Sequence, residues 1–353
     1  MWSQEEKSLL WLDSFPLEPA FKRSLLAAAG SAVRLVKRFG GFAEHFLGKE
    51  EVFSRMQETL KDGSYFATLA GRLKEESITP VFWGGEDYPA GWANLADAPI
   101  CLYAKGNLAL LKERKFAVVG SRRTTEGAKK LGVQIAKELC AQFAVVSGSA
   151  DGGDEAAVKG GLLGGKAICF LAGGFGSSPK ENPLLPSVEQ EGLVVAACPF
   201  DTPVRVYSYE YRNKLLAALC EGVLVLGAAK KSGALITAKY AKSFQKSVFA
   251  IPYAPLVAAG EGCNGLIKEG AYLTENAADI LARYGYEKPQ KVAPVLTELE
   301  QKIVDLLAEV EEIHISELST RLGVPTFKLT ATLASLEVKG VAVKLGGNRY
   351  ALV

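Results

Sequence analysis

The sequence predicts an α/β protein: a Rossmann-like, mostly parallel sheet, with a small helical domain before it and a winged helix after it. Three observations carry that prediction. Between about Thr79 and Leu281, short apolar runs of strand length alternate with amphipathic helical stretches, the pattern of a parallel sheet covered on both faces. The preceding segment shows helical patterns only, and the following one shows three helices and then two short strands around Gly346–Gly347. At 353 residues the chain also exceeds one ordinary core.

Residues 1–63 read as short helices broken at Pro16, Gly30 and Gly40, resembling a helix-hairpin-helix or sterile-alpha-like (SAM) module. Residues 64–286 are expected to form the Rossmann-like domain. Its strands are predicted at Phe116–Val119, Ala144–Val146, Ala167–Leu171, Leu193–Ala196, Val223–Leu226 and Val248–Ile251. After the first of these a helix starts by Glu126, with Leu131, Ile135 and Leu139 spaced i, i+4, i+8. KPQKVAPV, within residues 287–295, reads as a linker. Residues 296–353 give the winged helix, where Thr297 and Glu300 can form a capping box and Pro325 can open the third helix. That third helix is the usual duplex reader of the fold. Here Thr326 to Glu337 holds Lys328 as its only base, so protein contact is expected over duplex reading.

With 48% hydrophobic and 23% charged residues, the chain has the composition of a soluble globular protein. A net charge of +2 excludes a protein that coats nucleic acid with its whole surface, so any polyanion site must be a local concentration of charge. No apolar run reaches the roughly 18 residues of a membrane span. The start, MWSQEEKSLLWLDSF, lacks the basic region and cleavage site of a signal peptide, so a cytoplasmic protein with no membrane partner is expected. Six dispersed cysteines without a CxxC pair, and only His45 and His314, offer no metal ligand set. No cofactor is expected, and the thiols read as buried core.

Function is legible in the turns. FAVVGSRRTTEG runs from an apolar strand into Gly120, Ser121, Arg122 and Arg123, which supply backbone N–H groups, a hydroxyl and two cations suited to phosphate. SGSADGGDEAA follows the next strand with a second polar turn, Ser147–Gly148–Ser149. Its acidic residues Asp151, Asp154 and Glu155 read as first-turn capping and dipole partners, with Asp154 at the N-cap, rather than as a catalytic cluster. YSYEYRNKLLAALC alternates Tyr207, Tyr209 and Tyr211 with polar residues before Arg212, Asn213 and Lys214. Aromatics and cations on one surface suit single-stranded nucleic acid. In KKSGALITAKYAKSF, Lys230 and Lys231 flank a helix start at Ser232 and Gly233, again phosphate chemistry. Together these turns predict a groove on one sheet edge. GGLLGGKA fits the start of a Walker A loop but ends in Ala167 and leads from helix to strand, so it reads as a tight turn. AGGFGSS lacks the third glycine of a dinucleotide fingerprint.

VVGSRRTTEG, VVSGSADGGDEAA, SSPKEN, YRNKLLAALC, KSGALITA and GCNGLIKEGA, in this order, resemble the bacterial DNA-processing protein A (DprA/Smf) family over roughly Val81 to Leu281. The resemblance implies a non-enzymatic, homodimeric, single-stranded-DNA-binding protein that loads a RecA-type recombinase during natural transformation. It assigns Gly120, Ser121 and Arg122 to a phosphate turn and Tyr209 to the place of a base-stacking Phe. Arg212, Asn213 and Lys214 match its Arg-Asn-Arg, Lys231, Ser232 and Gly233 its helix start, and Ile267 and Leu273 its dimer contact. Four positions depart from the family pattern: Asp151 stands for an arginine, Gly153 for an isoleucine, Glu210 for a proline and Lys214 for an arginine. The competing reading is a Rossmann-like protein that binds or cleaves nucleotides. Such proteins use a PGGxGT turn followed by a catalytic Glu, which this chain lacks.

Overall fold

The computed structural model describes residues 2–177, 183–286 and 295–352, in two compact units, Met1–Lys288 and Pro289–Val353. SSPKEN beyond Ser177, and the expected linker up to residue 294, lie outside the described residues.

In chain order the first unit holds α1 (Gln4–Asp13), α2 (Pro19–Ala29), α3 (Ala32–Lys37), α4 (Glu50–Lys61), α5 (Tyr65–Glu75), β1 (Thr79–Phe82), β2 (Cys101–Gly106) and β3 (Lys115–Val119). It continues with α6 (Glu126–Leu139), β4 (Ala144–Gly148), α7 (Gly153–Leu163), β5 (Ala167–Phe170), α8 (Leu185–Glu191), β6 (Leu193–Ala196) and α9 (Val206–Leu219). Then come β7 (Gly222–Val225), α10 (Gly233–Ser243), β8 (Ser247–Ala250), α11 (Glu261–Lys268), β9 (Tyr272–Leu273) and α12 (Ala277–Arg283). The nine strands form one sheet in the order β1-β2-β6-β5-β4-β3-β7-β8-β9, parallel except where β2 pairs with β1 and β6. All six strands predicted from apolar runs are present, within a residue or two of the expected bounds.

Alternation along β3 shows why these runs need two covered faces. Ala117 and Val119 join a core with α9 and α10, while Phe116 and Val118 join one with α6, α7 and α12. On α6, Ile135 and Leu139 are buried as their spacing predicts, and Leu131 packs at the margin.

The N-terminal helices are not a separate module ending at residue 63. Helix α5 continues the helical region beyond Gly63, and Leu9, Leu10 and Leu12 share a core with Phe82, Cys101 and Tyr103 of the sheet. A hydrogen bond to a buried ion pair of the helices joins the two parts: Lys22 Nζ lies 2.9 Å from Asp13 Oδ1, and the Tyr103 hydroxyl of β2 donates to Asp13 Oδ2 at 2.8 Å. Apolar surface on one face of a short helical bundle needs a partner, and here the sheet provides it.

The second unit has α13 (Glu298–Ala308), β10 (Ile313–His314), α14 (Ile315–Leu322), α15 (Thr326–Val338), β11 (Ala342–Lys344) and β12 (Arg349–Leu352), a winged helix with its three-stranded sheet ordered β10-β12-β11. The predicted capping box is formed: Thr297 N–H donates to Glu300 Oε2 at 2.7 Å, and Glu300 N–H donates to Thr297 Oγ1 at 3.3 Å. Among the described residues no helix is long and apolar enough to cross a membrane.

Candidate nucleic-acid interface

In a parallel sheet each crossover helix starts at the carboxyl edge of the strands. The first turns of α6, α7, α9 and α10 therefore gather on one side. From β3 the chain moves outward through β4, β5 and β6 and returns to β7 on the other flank. The β3–β7 gap is thus a topological switch point, where open α/β sheets place ligands. The Ser121 amide crosses it, donating to the Gly227 carbonyl at 2.8 Å.

Glycines bring the turns after β3 and β4 together. A Cβ on Gly153 would lie 2.4 Å from the Gly120 Cα, and one on Gly152 would lie 2.6 Å from the Ser121 carbonyl oxygen. Gly152 also has φ +85°, a left-handed conformation. The Gly153 amide donates to the Ser121 carbonyl at 3.1 Å. Thr124 closes the first turn through its hydroxyl on the same carbonyl, 2.8 Å away. Ser121 Oγ and Ser147 Oγ are buried with no hydrogen-bond partner among the described residues.

Two pairs of cations flank the gap. Arg122 and Arg123 on the β3 turn, and Lys230 and Lys231 before α10, are exposed and enter no ion pair among the described residues. Ser232 caps α10, its hydroxyl accepting from the Ala234 amide at 3.3 Å, and Gly233 is exposed beside it.

The second motif differs in detail from its expected role. Helix α7 is capped at Gly152, so Asp154 sits inside the first turn. Its Oδ1 accepts the Gly120 amide at 3.0 Å and its Oδ2 lies 3.8 Å from Arg212 Nη2. Burial pushes its carboxyl above the usual range, opposed first by Arg212 and then by the Gly120 and Ala150 amides. Asp151 is exposed and Glu155 accepts the Gly152 amide, so the three acids do not converge on one point.

The tyrosine motif needs a larger correction. Alternation places residues on one surface only in a strand, whereas Tyr207, Tyr209 and Tyr211 lie in helix α9, which begins at Val206. Tyr207 is exposed and Tyr209 is 37% exposed, whereas Tyr211 is largely enclosed, its hydroxyl donating to the Asp97 carbonyl at 2.7 Å. Arg212, Asn213 and Lys214 are not free surface groups either. Arg212 is 5% exposed and donates to the Phe170 carbonyl at 3.0 Å. Asn213 is buried and donates to the Gly233 carbonyl at 3.2 Å. Lys214 pairs with Asp97 at 2.6 Å. These side chains leave the helix on faces packed against the sheet and its neighbours, a consequence of helical period that residue type does not announce.

Leu266 is core, while Ile267 packs at the core margin and Leu273 is half exposed on β9. Reading the sequence missed the support of α9 from β2's side: Trp92 is fully buried and donates to the Leu215 carbonyl at 2.9 Å. An isolated tryptophan in an irregular segment gave no periodic signal.

Two family models match the chain: DNA recombination-mediator protein A over residues 79–285 and the DprA winged helix domain over residues 287–348. The DNA processing protein DprA of Streptococcus pneumoniae is 37% identical over 203 residues, 56% of this chain and 72% of that protein. Protein Smf of Escherichia coli is 31% identical over 279 residues, 74% of each chain. The X-ray structure of the S. pneumoniae protein superposes with a TM-score of 0.66 at 30% identity, covering 79% of this chain and 97% of that one. DNA processing protein A from Helicobacter pylori, described for its single-stranded DNA binding mode, superposes with a TM-score of 0.54 at 28% identity, covering 60% and 97%.

Proposed function

The chain belongs to the DNA recombination-mediator protein A family, a family of mediators rather than enzymes, and from that premise we propose how it holds its DNA. Single-stranded DNA runs along the carboxyl edge of the sheet. Its phosphates meet the Gly120–Arg123 turn and the Lys231–Gly233 helix start, and Tyr209 stacks on a base, whereas the expected contacts Ser147 and Gly148 are buried, with Gly148 beneath the Arg212–Asp154 pair. The observation that carries this reading is the pair of exposed cation sets, Arg122 with Arg123 and Lys230 with Lys231, without ion pairs among the described residues and on either side of the β3–β7 switch point. Backbone amides at two helix starts add to the same anion preference. Single-stranded DNA is favoured over duplex because the edge combines cations with an exposed aromatic side chain.

In the same proposal the protein is cytoplasmic, acts as a homodimer through Ile267 and Leu273, and hands its strand to a RecA-type recombinase during natural transformation. The departures Asp151 and Glu210 bring negative charge near the groove, which favours a weaker hold on the strand than a fully basic edge would give. Titration of labelled oligo-dT and of a duplex of equal length, across a series of salt concentrations, tests the reading. Preference for the single strand with a steep salt dependence is expected. Equal affinity for both, or turnover of nucleoside monophosphates at stoichiometric rates, would overturn it.

A further inference from the structure

Arg212 has the sequence position of a DNA-facing cation, but its guanidinium lies inside the edge of the sheet. Nη1 donates to the Phe170 carbonyl at the end of β5, and Nη2 approaches Asp154 Oδ2 at 3.8 Å. The path between them passes over Gly148 at the end of β4. A Cβ there would lie 1.8 Å from Arg212 Nη1 and 2.2 Å from Asp154 Oδ2, so only glycine leaves room for the pair. The other oxygen of Asp154 accepts the amide of Gly120, the first residue of the arginine-bearing turn. One continuous line of contacts therefore runs from α9 past β5 and β4 to the turn after β3. The adjacent Asn213 ties the same helix to the Gly233 carbonyl at the start of α10.

We propose that Arg212 and Asp154 are positioning residues, which hold the Gly120 amide and so set the Gly120–Arg123 turn against the first turns of α9, without either touching DNA. The proposal rests on the reading of the carboxyl edge as the strand-binding surface. Several observations separate this role from a phosphate contact. Both side chains are more than nine-tenths buried, and each has the other as its charged partner. A buried cation of this kind is costly to uncover, and removing either partner leaves the other uncompensated. Exposed cations that could meet phosphate stand nearby at Arg122 and Arg123.

Oligo-dT binding by the full chain, measured over a salt series, distinguishes the two roles. Removing a cation that meets a phosphate of single-stranded DNA lowers the slope of log affinity against log salt by about 0.7, whereas a slightly displaced turn weakens its hydrogen bonds while Arg122 and Arg123 still neutralise the nearby phosphates, which lowers affinity and leaves the slope. Arg122→Ala is expected to lower that slope. Arg212→Gln and Asp154→Asn are each expected to weaken binding by about tenfold, the worth of one charge-assisted hydrogen bond, with the slope unchanged. The double variant should be no weaker than either single one, since both act through one link. Arg212→Lys, which keeps the charge but not the two-pronged geometry, should fail to rescue. Gly148→Ala, which crowds the guanidinium while keeping every charge, should reproduce the loss and serves where Arg212→Gln does not fold. A slope lowered by Arg212→Gln together with rescue by Arg212→Lys, or native affinity in Gly148→Ala, overturns the positioning role and leaves the groove standing. Unchanged affinity and slope in Arg122→Ala would instead remove the groove itself.

Discussion

At the scale of single residues, the site divides by exposure rather than by residue type. Arg122 and Arg212 are both arginines in motifs suited to phosphate, yet one is exposed without an ion pair among the described residues and the other is enclosed against Asp154. Arg122→Ala is expected to cost about 1.5–3 kcal/mol of single-strand affinity, the range for a hydrogen bond to a charged group. Tyr209 offers a ring at the start of α9. Tyr209→Ala should cost about 1–3 kcal/mol, and Tyr209→Phe almost nothing, because stacking uses the face of the ring. A Phe variant as weak as the Ala variant would mean that the hydroxyl matters. The sequence revealed the chemistry of these residues but not their facing. Phosphate-suited side chains are visible as letters, whereas the burial of Arg212 and Asn213 depends on how α9 turns and on what packs against it. The period-2 reading of Tyr207, Tyr209 and Tyr211 failed for that reason: the segment was already helical.

At the scale of elements, the strands were legible because strands buried on both faces are short, continuous apolar runs bounded by glycine and polar turns. Strands β1 and β2 escaped because they pair antiparallel outside the repeating strand–helix pattern, and β1 carries Pro80. The junction between the β3 and β4 turns tests how strictly the site depends on backbone contact. Gly153→Ala puts a Cβ 2.4 Å from the Gly120 Cα, so one turn must move. Overpacking of this kind costs about 1–3 kcal/mol. Chemical denaturation should show the loss, and oligo-dT binding should weaken with it. Native binding at reduced stability would mean that the turn tolerates displacement. In the winged helix the legible element was the capping box, and the structure adds Lys339, whose Nζ lies 2.7 Å from both Glu300 oxygens. Lys339 first, with help from the Thr297 amide and the Ser335 hydroxyl, holds the Glu300 carboxyl down to about 2 from its ordinary 4.5. A carboxyl depressed in the folded state stabilises it above the ordinary value and loses that contribution as pH falls toward the folded one. The winged-helix transition in calorimetry of the full chain should therefore weaken between about pH 4.5 and 2, and Glu300→Gln should flatten that dependence. An unaltered acid profile in the variant would assign the loss to other carboxylates.

At the scale of the whole molecule, the sheet has one end whose exposure invites a partner. Strand β9 is the terminal strand, bonded on one side to β8, and its two residues behave differently. Tyr272 is occupied by its own chain, its ring 5.1 Å from that of Phe249 and beneath the Arg283 guanidinium. Leu273 has no such cover among the described residues and is 49% exposed, while Ile267 on the preceding helix α11 reaches the core only in part. An uncovered sheet edge with apolar side chains is a liability that proteins manage by pairing or by covering it. A second copy related by a two-fold axis would cover both ends at once, and each substitution would be felt twice. Reading the sequence pointed to Ile267 and Leu273 only through the family pattern. The sequence alone did not show that β9 ends the sheet, because that depends on strand order. Ile267→Glu combined with Leu273→Arg is expected to give a folded monomer that binds oligo-dT more weakly and less cooperatively. Sedimentation should report half the mass while circular dichroism stays native. A variant that loses its circular dichroism would return both residues to the core, and a folded variant of undiminished mass would move the contact to another surface.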